Sequence, residues 1–87
     1  PPDRPTAVSE IKLLGMRADE AEAVLTRALD EAILADLPYL RIVHGKGTGA
    51  LREMVQRVLE ADPRVARFDF APANQGGAGV TVAEFRA

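Results

Sequence analysis

"YLRIVHGKGTGALREMVQRVL", residues 39–59, joins a short β-rich run to an amphipathic run through a segment that holds three glycines. Tyr39, Leu40, Ile42 and Val43 are residues that fill a pleated, half-buried surface. Leu51, Met54, Val55, Val58 and Leu59 recur at three and four residues, which places them on one face of a helix. Between the two runs stand Gly45, Gly47 and Gly49. Lacking a Cβ, they take φ > 0 freely and let another molecule approach the main chain. Thr48 is the expected N-cap of the helix. The N–H groups of Gly47, Thr48 and Gly49 lie ahead of the helical ladder, and such groups form a ready site for an anion.

The same reading extends upstream. Ser9 to Leu14 reads as a strand ended by Gly15. Ala21, Val24, Leu25, Ala28, Leu29, Ala32 and Ile33 then form one apolar helical stripe. Asp19, Glu20 and Glu22 crowd the first turn of that helix, where its dipole favours negative charge, and Pro38 marks its end. Downstream, Pro63 stops the second helix. "VARFDF" and "GVTVAEF" read as two more strands, parted by the turn-rich "APANQGGA".

The order is strand, helix, strand, helix, strand, strand, with the first three strands parallel and the last antiparallel. Ile11 and Leu13 alternate with Glu10 and Lys12, and Ala66, Phe68 and Phe70 alternate with Arg67 and Asp69. Sheets covered on both faces read as continuous apolar runs, so this alternation places both helices on one face. The expected fold is α/β: a two-layer βαβαββ sandwich with a mixed four-stranded sheet. Its other face is expected open and partly basic through Lys12, Arg41 and Arg67.

At 87 residues the chain holds one small core. No apolar run approaches the roughly 20 residues that cross a bilayer, so no membrane partner is expected. Cysteine is absent and His44 is the only histidine, which removes disulfides, thiolate metal sites and a histidine-based zinc site and fits a reducing, cytoplasmic setting. Residues 1–8, proline-rich and without an initial methionine, read as a linker from a longer parent, with the domain at 9–87. Between Ala18 and Pro38 six acids face one base, whereas between Tyr39 and Arg67 six bases face three acids. Such asymmetry marks a polyanion-binding face on a weakly acidic protein.

Ligands of α/β sheets gather beyond the carboxyl ends of the strands. The loops "GMR" and "HGKGTG" both belong there, so adjacent strands would bring Arg17 and His44 to one place. Three readings of the loop compete. "GKGTGA" fits the letters of a dinucleotide fingerprint, with Asp69 about 20 residues on. It follows the second strand rather than the first, however, and the chain is too short for two nucleotide-binding halves. A structural turn explains the glycines less well, because a turn alone does not need three of them. Contact with a phosphate backbone is the reading preferred.

"HGKGTGALR" after a strand, with "GMR" before it and "GGAGVTVAEF" after it, resembles the Smr (small MutS-related) domain, in the version found at the C-terminus of bacterial MutS proteins of the second class. The resemblance runs from about Ser9 to Phe85. It implies binding of DNA or RNA, with the ribosome a further partner, and endonuclease activity that nicks DNA or cuts RNA. The parent implied is an ATP-using homodimer that suppresses recombination or rescues ribosomes, whereas this domain would be monomeric with no cofactor of its own. His44 and Lys46 take the catalytic positions. Arg17, Gly45, Lys46, Gly47, Thr48, Gly49 and Arg52, with Lys12 and Arg41, are the expected nucleic-acid contacts. The family's first strand usually reads Leu-Asp-Leu-Arg or Leu-Asp-Leu-His before its glycine. Here Lys12 stands in place of the aspartate and Leu14 in place of the base. An aspartate at 12 would be expected to orient His44, so binding transfers to this chain better than cleavage does.

Overall fold

The computed structural model describes residues 9–87, and the expected linker over 1–8 lies outside them. The elements are β1 (Glu10–Lys12), α1 (Ala18–Leu34), β2 (Tyr39–Val43), α2 (Ala50–Ala61), β3 (Val65–Phe70) and β4 (Val80–Phe85), with short 3-10 turns at Ala73–Gln75 and Gly77–Gly79. This is the expected βαβαββ order. The sheet runs β1-β2-β4-β3. β1 and β2 are parallel, and β4 pairs antiparallel with both β2 and β3. The first three strands therefore share one direction, and β4 returns between the second and third.

Both helices press on the inner face. Leu25 and Leu29 of α1 and Val55 and Leu59 of α2 form one cluster with Leu13, Leu40, Ile42 and Ala83 of the sheet side. Leucines buried to this degree each contribute about 1.5–3 kcal/mol relative to exposure. α1 ends in paired bonds that close its last turn: Leu37 N–H to Ala32 O at 2.9 Å and Asp36 N–H to Ile33 O at 3.0 Å. Asp36 takes the left-handed position at φ 60°, where glycine is the usual residue. Pro38 follows and prevents any continuation.

Two expectations about the sheet are corrected. Ala66 does not join the inner face. The β3–β4 register slips between Val65 and Arg67, so Val65 is buried, Ala66 is exposed and Phe68 is half-buried against the core. An extra residue on one strand reverses the alternation behind it. The outer face is left open by the helices, as expected, but its basic character is offset. Arg41 Nε donates to Glu10 Oε1 at 3.0 Å and its Nη2 donates to Gln75 O at 3.0 Å. Arg67 pairs with Glu84 at 3.3 Å. The two arginines are thus matched by carboxylates on their own face.

Candidate nucleic-acid interface

Because β1 and β2 lie side by side, with Lys12 opposite Val43, the two loops beyond their ends share one mouth. Together they line a cleft of about 470 Å³ whose wall includes Leu14, Arg17, Lys46, Thr48 and Arg52. Arg17 is the N-cap of α1 and its side chain, 84% exposed, is held only loosely by Asp19 at 3.6 Å. Arg52 folds back over the loop, so that a Cβ on Gly49 would meet its guanidinium at 2.9 Å. Lys46, Gly47 and Thr48 are exposed.

The N-terminus of α2 starts one residue later than the sequence implies. Gly49, at φ 91°, is its N-cap, and the Thr48 hydroxyl accepts from Ala50 N–H at 3.3 Å. The helical ladder begins with Glu53 N–H to Gly49 O at 2.9 Å. The N–H groups of Leu51 and Arg52 therefore lie ahead of the ladder, where a helix carries partial positive charge.

His44 is 3% exposed. Its Nδ1 lies 2.9 Å from Gly45 O, and its Nε2 lies 2.8 Å from Thr81 Oγ1. A carbonyl only accepts, so the network assigns the proton to Nδ1, and in the neutral ring Nε2 accepts from the Thr81 hydroxyl. Phe70 stands beside the ring at 6.4 Å between centroids, tilted by 58°. Backbone bonds anchor the same corner: the carbonyl of Gly79 accepts from His44 N–H at 3.0 Å and from Gly45 N–H at 2.9 Å.

The structure thus gathers Arg17, Gly45, Lys46, Gly47, Thr48, Gly49 and Arg52 around one cleft, with His44 in its wall. It does not gather Lys12 or Arg41 there. Lys12 alternates with the buried Leu13 and is exposed on the outer face, whereas the His44 ring turns inward to Thr81. An aspartate at position 12 would therefore face away from the imidazole, contrary to the expectation that it would orient the ring. Arg41 lies on the outer face against Glu10. Sequence reading missed Gly79 and Thr81. Neither carried a signal of its own: Gly79 acts through its carbonyl, which any residue has, and a Cβ there would make only ordinary contact, 3.6 Å from Gly45 Cα.

Among the described residues no three His, Cys, Asp or Glu side chains converge on a point where a metal could sit, and no helix is long and apolar enough to cross a membrane.

Fold and site define a two-layer α/β domain with a basic, glycine-lined cleft at a helix N-terminus. The chain belongs to the Smr domain family, whose profile matches residues 11–86. It is 52% identical over 77 residues to a Gemmatimonas aurantiaca protein named Endonuclease MutS2, covering 88% of this chain and 9% of that protein. A Leuconostoc citreum protein of the same name is 52% identical over 79 residues, covering 91% of this chain and 10% of its own. This chain thus spans about a tenth of the length of those relatives. The crystal structure of the Smr domain of Thermus thermophilus MutS2 superposes with a TM-score of 0.88 at 45% identity, over 92% of this chain and all (100%) of that one. YdaL, a stand-alone small MutS-related protein from Escherichia coli, shares the fold at a TM-score of 0.86 and 24% identity, over 91% of this chain and 65% of its own.

Proposed function

We propose that this domain binds the phosphate backbone of DNA or RNA in the cleft between the β1–α1 loop and the glycine loop. The observation that carries the reading is the convergence on one cleft of Arg17 from the β1–α1 loop, Lys46 from the glycine loop and Arg52 from the first turn of α2. A phosphodiester in that cleft meets guanidinium and ammonium groups together with outward N–H groups, and such contacts position a strand without reading its bases. Sheet-face base stacking has little support, because the chain has one tyrosine and no tryptophan. The test is binding of purified domain to a labelled oligonucleotide across a salt series. A steep fall in affinity with salt is expected, and an affinity indifferent to salt removes the reading.

Strand cutting is the second reading, and the name shared by the similar relatives favours it. The parent protein would then act in the cytoplasm, in recombination suppression or on ribosomes, with this domain as its nucleic-acid contact. In this reading Lys46 and the N–H groups of Gly47 to Gly49 stabilise charge on the phosphate as it is attacked. A 2′-hydroxyl nucleophile makes RNA the easier substrate. For His44 to move a proton, it must first give up its bond to Thr81 or to Gly45 O. Supercoiled plasmid and structured RNA, each incubated with the domain with and without chelator, test the reading. Product that appears and is lost in Lys46→Ala supports cutting here, and intact substrate under all conditions leaves binding alone.

A further inference from the structure

We infer that Thr81 is a positioning residue for the glycine loop, acting through His44; the inference rests on the phosphate-site reading above. The inner face of the sheet near this point is apolar: Ile42 pairs with Thr81 across β2 and β4, and Ile42, Leu13 and Ala83 are fully buried at 0% exposure. Thr81 is itself 1% exposed. A hydroxyl and an imidazole removed from water in such surroundings are destabilising unless each finds a partner. They find each other at 2.8 Å.

The pairing has a direction. The Gly45 carbonyl can only accept, which puts the ring proton on Nδ1 and makes Nε2 an acceptor, and the Thr81 hydroxyl rotates to supply the proton that Nε2 needs. Nδ1–H then donates to Gly45 O at 2.9 Å. Gly45, at φ 81°, lies two residues past the end of β2. Its carbonyl is turned back onto the His44 ring, and its N–H is turned to Gly79 O. Both polar groups of this residue are therefore committed to His44 and Gly79, and the segment from Lys46 onward leaves the strand from a fixed point. Thr81 does not line the cleft, and it acts only by anchoring, at Nε2, the ring that holds the loop.

Thr81→Val keeps the side-chain shape and removes the hydroxyl. The test measures the His44 ring-nitrogen resonances by NMR and the dissociation constant for a short single-stranded RNA. In the unaltered domain the Nδ1–H tautomer is expected. In Thr81→Val the ring keeps that tautomer, the Nε2 resonance shifts with the loss of its donor and affinity falls about tenfold, the scale of one hydrogen bond, while Thr81→Ser restores both. An unchanged Nε2 resonance and affinity in Thr81→Val overturn the inference. If the valine variant does not fold, His44→Asn, which keeps a donor near Gly45 O, is compared with His44→Leu. Binding at least about fivefold tighter in the asparagine variant supports the latch, and equal binding overturns it. Lys46→Ala runs alongside. Affinity lost there but untouched in Thr81→Val removes the latch and spares the phosphate site, whereas affinity untouched in Lys46→Ala removes the site itself.

Discussion

Leu14 leans over Gly45, so that a Cβ on the glycine would stand 2.6 Å from Leu14 Cδ2. Leu14 is 57% exposed and its end swings aside readily, whereas the φ of 81° at Gly45 does not relax. Gly45→Ala is therefore expected to lower stability by about 1–2 kcal/mol, the strain of a left-handed residue with a Cβ. Adding Leu14→Ala should recover only a small part of the loss, as measured by urea denaturation.

The cations of the cleft and of the outer sheet face should behave differently. Lys46→Ala and Arg17→Ala each remove a group at the cleft, and each is expected to shallow the salt dependence of binding by about one unit. Arg41→Ala should leave that slope unchanged and lower the melting temperature instead. Its guanidinium ties Glu10 of β1 to Gln75 of the β3–β4 connection, and both bonds are lost.

Arg64 ties the turn after α2 to α1. Asp62 accepts from its backbone N–H at 2.9 Å and from its Nη2 at 2.8 Å, while Nη2 also reaches Asp30 of α1 at 3.0 Å. The hydrogen bond from Arg64 holds the Asp62 carboxyl below its usual 3.8. A depressed native value means that the stabilisation is complete above 3.8 and is lost as pH falls through the lower, native one. Asp62→Asn should lower stability at neutral pH by about 1 kcal/mol, a modest figure because Arg64 is 42% exposed. Below that lowered native value the two proteins should converge.

Asp36 occupies the left-handed position that closes α1, at φ 60°. Glycine adopts that conformation without steric cost. Asp36→Gly is expected to raise stability by about 0.5–1 kcal/mol with no effect on binding, and thermal melts of the two proteins check it.

Element types were legible because period and punctuation agreed: the α1 stripe stops before Pro38, and "HGKGTG" separates two apolar periods. The place of β4 was not legible, because pairing between β2 and β4 is settled by two strands nearly forty residues apart in the chain and not by the pattern within either (Ile42 opposite Thr81). The same limit hid the latch. In "VTVAEF" Thr81 reads as an ordinary β-former, and only the neighbouring strand brings His44 to it. Arg41 misled for a related reason, since its carboxylate partner, Glu10, lies on another strand. Ala66 was misplaced because a register slip leaves no mark in the alternation that precedes it. By contrast Arg17, Lys46 and Arg52 were legible. They lie in loops or a first helical turn next to the glycines, where local sequence fixes position.

The most direct test of the phosphate site follows backbone amide resonances of the labelled domain as a short oligonucleotide is added. The account predicts that the largest shifts fall at Arg17 and from Gly45 to Arg52, and that Tyr39, Arg41 and Val82 on the outer face stay still. Shifts confined to those outer-face residues, with the glycine loop unmoved, would contradict it.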